Sequence, residues 1–381
     1  MPYLLPTEDQ TLAVESFRKF LQAEIKPVAR EYRDRFIPKE KMRELTQRIA
    51  EFGLPGCVIP VEHGGMGLTY TMQGMLFEEL VACSCDIGLA VMINLGLPLL
   101  LTGAASPELR DKYMGDALAG KLFSCVAISE PDVGSNVAEI KTRAVRDGDH
   151  YIINGEKTWI SNGDYSDVVV VTCRTETGLS HLLVDRRESP YESRNIDKIG
   201  LNSQSTAQLF FQDVRVPVTN MIGKEGEGLR NTMKLFENAR GHVGTLSVGL
   251  MRASLEESIA YAKERKQFGK PIAAHQLVAA KIANMAMLLE ASRLMCHRVF
   301  GLIDAGIRCD LEASMAKAFA TEAAVRACRD AVQLHGGNGL TKEFNVERYL
   351  REAIIIPIPD GTTEIQQLAI SRALTGIAAF A

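Results

Sequence analysis

Residues 149–163 read DHYIINGEKTWISNG. Two short runs, Tyr151–Ile153 and Thr158–Ser161, flank Asn154-Gly155, the dipeptide that most strongly marks a hairpin. Before this stretch apolar residues recur at about every 3.6 positions, and within it the period shortens. SDVVVVTCRT (166–175), LSHLLVDR (179–186) and AQLFFQDVRVP (207–217) continue the β-branched and aromatic pattern. Their spacing predicts a small β-barrel or sandwich over 120–224.

The flanks are helical. TLAVESFRKFLQAEI (11–25) places Leu12, Val14, Phe17, Phe20, Leu21 and Ile25 on one face. KMRELTQRIAEFG (41–53) repeats the pattern and stops at Gly53. After the glycine-rich PVEHGGMGLT (60–69), a helix resumes in TMQGMLFEELVACSCDIGLAVMIN (71–94), apolar on nearly every side and so expected to be buried. Past 225 come three long segments. One runs without internal proline to Gly269-Lys270-Pro271, and two Ala- and Met-rich ones follow over 273–306 and 314–337. Their lengths suit a bundle whose helices also serve an oligomer interface. The fold class expected is α+β: an N-terminal α-helical domain (1–119), a middle β-barrel or sandwich domain (120–224) and a C-terminal four-helix bundle (225–381).

The chain has 381 residues, enough for two or three domains with a large core. A net charge of −4, with 46% apolar and 24% charged residues, gives no reason to expect nucleic acid or an anionic membrane as partner. The eight cysteines lack zinc-site spacing and read as free, mostly buried thiols; no metal site is expected. The N-terminus, MPYLLPTEDQ, resembles neither a signal peptide nor a transit peptide. The apolar stretch around 87–101 is interrupted by Asn94 and Pro98 and falls short of the ~20 residues of a membrane span. A soluble cytoplasmic protein is expected.

Several loops combine residues suited to ligands. In SEPDVGSN (129–136), Gly134 frees the backbone and Ser129 and Ser135 add hydroxyls, which suits phosphate or a heteroaromatic edge; a plain surface loop explains it as well. The single tryptophan, Trp159, is either core or a cofactor platform, with Ser161 two residues on along the strand. In ERKQFGKP (264–271), Arg265 and Lys266 suit a helix C-terminus by the dipole alone, and a guanidinium there can also clamp a diphosphate. QLHGGNGL (333–340) reads as a helix C-cap or as a close approach to phosphate or adenosine.

IIIPIPDGTTEIQQ (354–367) has no counterpart elsewhere in the chain. Pro357 and Pro359 bias Ile356 and Ile358 toward extended geometry, so the approach to Asp360 is expected to be stiff. Thr363 to Gln366 has the form of a capping box, with a helix starting near Glu364 and burying Ile365, Leu368 and Ala369.

Taken in order, SEPDVGSN, WISNG, FFQDVRVP, ERKQFGKPI, QLHGGNG and DGTTEIQ on an α–β–α chain resemble the acyl-CoA dehydrogenase family, over nearly the whole sequence. The resemblance implies FAD bound between the β domain and the C-terminal bundle, with part of the site from a neighbouring subunit of a homotetramer. It implies an acyl-CoA substrate that loses its α-proton to a carboxylate and its β-hydride to the flavin, with an electron-transferring flavoprotein as electron acceptor. By motif position, Ile128, Ser129, Gly134 and Ser135 correspond to flavin and phosphate contacts. Trp159, Ile160 and Ser161 correspond to the segment against the flavin ring, with Ser161 where many relatives have Thr. Arg265, Phe268, Gln276, Gln333, Gly336 and Gly337 correspond to contacts with the partner's FAD, and Thr362 and Glu364 to further FAD contacts. Ser135, Arg240 and Gly361 fall on the substrate side, and Asp360 at the catalytic base.

The sequence departs from the family pattern in three places. Asp132 and Val133 replace small residues, Asn136 replaces an Asp, and Pro359-Asp360 replaces an aromatic residue followed by Glu. Some relatives carry their Glu just before the arginine of FENARG (236–241); here that position is Ala239. Asp360 is therefore the only acid at either usual site. Aspartate is shorter than glutamate by about 1.5 Å, so either the backbone moves closer or the substrate differs in shape. Three readings follow: dehydrogenation of a branched or alicyclic acyl-CoA by Asp360; an alicyclic enoyl-CoA dehydrogenase with its acid elsewhere, for which Asp86 is a candidate with a structural role as the alternative; or an oxidase similar to nitroalkane oxidase.

Overall fold

The structure, a computed structural model, describes residues 6–379; Met1–Leu5 of the N-terminal segment lie outside the described residues. The chain opens with α1 (Glu8–Phe20), α2 (Lys26–Glu31), α3 (Lys39–Ala50), α4 (Tyr70–Cys83), α5 (Cys85–Asn94), α6 (Gly96–Ala104) and α7 (Pro107–Leu118). Phe17, Leu21 and Ile25 are buried, Val14 and Phe20 are half-buried, and Leu12, expected inside, is exposed. The continuous helix expected over 71–94 is two. Ser84 is extended (φ −159°, ψ 115°), and its hydroxyl accepts a hydrogen bond from Ile87 N, capping α5. A serine flanked by cysteines was the signal for this break. Cys85–Ala104 is a 20-residue helical stretch long and apolar enough on average to cross a membrane, longer than the run expected from sequence, yet 61% of its most apolar part is buried inside the protein.

The middle of the chain forms β1 (Ser124–Ala127), β2 (Arg143–Asp147), β3 (His150–Ser161), β4 (Val168–Thr175), β5 (Gly178–Asp185), β6 (Glu192–Asn195), β7 (Thr206–Pro217) and β8 (Met221–Ile222). The sheet runs β6-β7-β3-β2-β4-β5-β8, with β1 parallel to β4. Its halves join thinly, β2 meeting β4 only at Arg143 and Arg174. Ile153, Leu209 and Val216 of one half share a core with Val169, Val171 and Leu182 of the other.

The Asn154-Gly155 hairpin does not form. β3 is one strand, and Gly155 (φ 148°) sits at a bulge where the pairing with β7 shifts register. A Cβ there would lie 2.7 Å from Thr142 Cα. Bulge and hairpin ask for the same residue types, and cross-strand packing decides between them. The tight turn is at Gly148-Asp149, between the paired Asp147 and His150. β4 explains its own unbroken apolar run. Val169 and Val171 face the sheet core, while Val168 and Val170 pack with Leu97, Leu101 and Tyr113 of the N-terminal helices.

The last region comprises α8 (Gly228–Glu264), α9 (Gln276–Asp304), α10 (Asp310–His335), α11 (Val346–Ile355) and α12 (Thr363–Thr375). Small residues set the packing of α8: a Cβ at Gly244 would lie 2.6 Å from Cys296 Sγ of α9, and one at Gly249 2.5 Å from Val81 of α4. One continuous core joins α1, α4, α5, α8, α9, α10 and α11. All eight cysteines are free and buried, as their spacing suggested.

Candidate active site

The Asp360 segment leaves α11 differently from the sequence expectation. Ile356 keeps helical dihedrals (φ −64°, ψ −28°), and Ile358 N–H donates to Ile355 O at 3.1 Å. The hydrogen bonds of the last helical turn outweigh the extended bias of a residue before proline. The chain therefore turns tightly into Asp360, which adopts a left-handed backbone (φ 54°) that Asp tolerates better than most residues. The cap is displaced by one residue. Thr362 caps α12, its hydroxyl accepting from Ile365 N at 3.4 Å, and the helix starts at Thr363. Gln366 turns inward and is buried, its Nε2 donating to Asp360 O (3.1 Å) and Gly361 O (3.0 Å). Ile365, Leu368 and Ala369 are only half-buried. Glu364 is exposed, and its own backbone N–H and the Thr362 hydroxyl hold its pKa down.

Beneath this turn lies Lys317 of α10, fully buried. Its ammonium donates to Pro357 O and, at 2.7 Å, to Gly361 O. Arg240 of α8 approaches from the side, its Nη1 donating to Ser314 Oγ at 3.2 Å. Desolvation raises the pKa of Asp360 above the ordinary aspartate range, and the Lys317 and Arg240 charges partly oppose this. The same burial lowers Lys317 to about 8, against the pull of Asp360. A carboxylate moved toward neutrality and held on a clamped turn is suited to taking a proton.

A second cluster forms where the 128–140 loop meets β3. Ile128, Val133, Ile140 and Leu179 pack together, with Phe236 of α8 against them; Phe236 lies one turn before Arg240 and links this loop to the Asp360 side. Ser129 O accepts Thr158 N–H at 2.9 Å, while Gly134 and Ser135 are exposed. Trp159 is not a core residue: it is 62% exposed, in a left-handed backbone (φ 62°) at a second β3 bulge. An aromatic residue in that conformation is strained and persists only where its surroundings enforce it. Ser161 is half-buried, whereas the Ile160 side chain lies in the sheet core, so a ligand meets Ile160 only through its main chain.

This cluster rests on a pair that sequence reasoning missed. Lys157 is fully buried, and its Nζ bonds Glu130 Oε1 at 3.0 Å and Ile128 O at 2.8 Å. Glu130 also accepts from the backbone N–H groups of Lys141 (2.7 Å) and Thr142 (2.8 Å). Those bonds hold its carboxyl below the usual range despite burial. One acid and one lysine in adjacent motifs were visible, but nothing in the pattern paired them.

Elsewhere, Arg265, Gln267, His335, Gly336 and Gly337 line a groove of about 380 Å³. Gly336 (φ 61°) caps α10, as the C-cap alternative had it, and Cβ atoms at Gly336 and Gly337 would meet open space. Tyr261 stacks on His335 with ring centroids 4.2 Å apart. Gln333 and Gln276 are exposed, and Phe268 (φ 52°) is 92% exposed. A larger groove of about 810 Å³, between α1, α4, α8 and α9, contains none of the expected site residues. There Glu78 and Glu79 are tied by Arg18, Arg252 and Arg293, a structural charge network. Asp86 takes its structural alternative: buried at the start of α5, it accepts Ser203 N–H at 2.9 Å.

Family models of the acyl-CoA dehydrogenase N-terminal, middle and C-terminal domains match residues 7–121, 125–214 and 226–375. The chain belongs to the acyl-CoA dehydrogenase family. It is 36% identical to the cyclohex-1-ene-1-carbonyl-CoA dehydrogenase of Geobacter metallireducens, over 97% of this chain and 98% of that protein. It is 37% identical to the caffeyl-CoA reductase–Etf complex subunit CarC of Acetobacterium woodii, over 87% of this chain and 89% of that one. Its fold matches the glutaryl-CoA dehydrogenase of Mycobacterium smegmatis, solved in complex with FADH2, with a TM-score of 0.93 and 29% identity, covering 99% and 97% of the two chains. Like its relatives, this acyl-CoA dehydrogenase-family protein is an oxidoreductase acting on CH–CH bonds, with FAD as its cofactor. The residues fit FAD. A strained, exposed indole beside half-buried hydroxyls at Ser129 and Ser161 suits a flat ring system.

Proposed function

We propose that this protein is an FAD-dependent dehydrogenase of acyl-CoA thioesters in which Asp360 removes the α-proton and a 2-enoyl-CoA leaves. The observation that carries the reading is Asp360 itself: a left-handed, desolvated carboxylate beside Lys317 and Arg240, where the family's acid is expected and Ala239 removes the alternative. Bound FAD supplies the acceptor for the hydride from the β-carbon. The chain's own residues do the rest. Asp360 holds the abstracted proton on its carboxyl. Gly361 and Arg240 face the thioester and CoA side. Trp159 and Ser161, with Ile128, Ser129, Gly134, Ser135 and the Ile160 main chain, hold the ring and phosphates. Thr362 and Glu364 flank them at the start of α12.

Arg265, Phe268, Gln276, Gln333, Gly336 and Gly337 reach the FAD of a second subunit in a cytoplasmic homotetramer. Their exposure in one chain supports that assignment. An electron-transferring flavoprotein takes the electrons, consistent with the Etf complex in which the A. woodii relative takes part.

The acyl group is branched or alicyclic. Pro359 in place of an aromatic residue changes the wall beside the base, and the G. metallireducens relative acts on a cyclohexene thioester. Anaerobic bleaching of the bound flavin by straight, branched and alicyclic acyl-CoAs tests this. The fastest reduction is expected with a branched or ring substrate. Fastest reduction by a straight-chain thioester refutes the substrate assignment.

A further inference from the structure

Lys157 and Lys317 are both fully buried, and they differ in what compensates them. Lys157 has the Glu130 carboxylate at 3.0 Å. Among the described residues no carboxylate lies within ion-pair distance of Lys317; its hydrogen-bond partners are main-chain oxygens, those of Pro357 and Gly361. Burying an ammonium without a paired carboxylate is costly, and hydrogen bonds alone offset only part of that cost. The two carbonyls bracket Asp360 in sequence. A second buried donor, Gln366 Nε2, binds Asp360 O and shares Gly361 O. Thus three carbonyls of the 357–361 turn converge on two buried side chains, while the residue between them is kept in a left-handed backbone. The charges around Lys317 come from each packed element: Asp360 on the turn, Arg240 on α8, Glu322 on α10 and Glu364 on α12.

We infer that Lys317 is the positioning residue for the base: it fixes the Asp360 carboxylate through the main chain on both sides. Its charge also opposes the effect of desolvation on that carboxylate. This rests on the reading of Asp360 as the base. Because the acid is an aspartate, it has one carbon less with which to absorb misplacement, and a 1 Å error costs about a hundredfold in rate. Locking the turn is the remedy available to the main chain.

The test uses FAD-loaded Lys317→Met, Lys317→Gln and Asp360→Asn, with an acyl-CoA that bleaches the wild type. In Lys317→Met, flavin reduction at saturating substrate is expected to fall by roughly 10- to 100-fold. Its substrate dependence stays nearly fixed, and the acidic limb of the rate moves to higher pH. Lys317→Gln keeps donors without charge, so it recovers rate while leaving the limb displaced. A thioether analogue with sulfur at the β-position can lose its α-proton but has no β-hydrogen to give. The flavin absorbance change on binding it is expected to shrink in Lys317→Met and to return as pH rises. Wild-type rate, limb and analogue response in whichever Lys317 variant loads FAD overturn the inference, even if Tm falls. Asp360→Asn that still bleaches overturns the base assignment instead. A dead Asp360→Asn beside a wild-type-like Lys317 variant overturns the positioning role alone.

Discussion

Asp360 combines two conditions that a fold alone would avoid, a left-handed backbone and a desolvated carboxylate. Its pKa is raised on folding, so its contribution to stability is complete below the unfolded value and is lost as pH rises through the folded value. Asparagine removes that loss and suits a positive φ at least as well. Asp360→Asn is therefore expected to raise Tm above neutral pH, an increase that differential scanning calorimetry would detect. Asp360→Glu tests length rather than acidity, since the two reference pKa values lie within about half a unit. An extra methylene of about 1.5 Å on a turn held by Lys317 and Gln366 overshoots the substrate, and stopped-flow reduction is expected to slow about a hundredfold. Asp360 and its neighbours were legible in sequence as a capped turn carrying an acid. Lys317, 43 positions earlier on an Ala-rich helix (360 against 317), carried no local signal, because the partners it meets are carbonyls and every residue has one.

β3 and the loop it supports show how an element holds a ligand surface away from its core. Two bulges, at Gly155 and between Lys157 and Ile160, re-aim the strand so that Trp159 is displayed while Ile160 stays inside. The Glu130–Lys157 pair anchors the facing loop. Glu130→Ala leaves a buried ammonium uncompensated and is expected to cost about 3–5 kcal/mol, with loss of bound FAD; urea unfolding and the flavin content of purified protein measure both effects. Gly155→Ala places a methyl group against Thr142 and is expected to destabilise by about 1–3 kcal/mol in the same assay. The strand was readable from its β-branched and aromatic residues. Asn154-Gly155 suits a hairpin or a bulge equally in sequence, and only the partner strand β7 distinguishes them. The break at Ser84 and the helical Ile356 were missed for a related reason: each depends on which hydrogen bonds the finished fold makes available.

Across the whole molecule, α8 joins the parts, running from Thr232 beside His181 of β5, past Phe236 and Arg240, to the groove at Tyr261. The α–β–α order was legible because hydrophobic period is a regional property, and the six motifs kept their order on it. His181 and His242 are buried, and desolvation lowers both to about 4. Between the ordinary histidine value and about 4, the unfolded chain binds protons that the folded chain does not. Stability is therefore expected to fall as pH drops from about 6.5, well before carboxylates titrate, and a His242→Gln variant should flatten that part of a Tm–pH curve.

The central claim is that Asp360 takes the α-proton, and anaerobic stopped-flow reduction of the bound flavin in wild type and Asp360→Asn, with the fastest acyl-CoA, tests it most directly. The expected result is a reduction rate lower by about 10²- to 10⁴-fold in Asp360→Asn, with FAD content and fold intact. Near-normal bleaching in that variant would contradict the account.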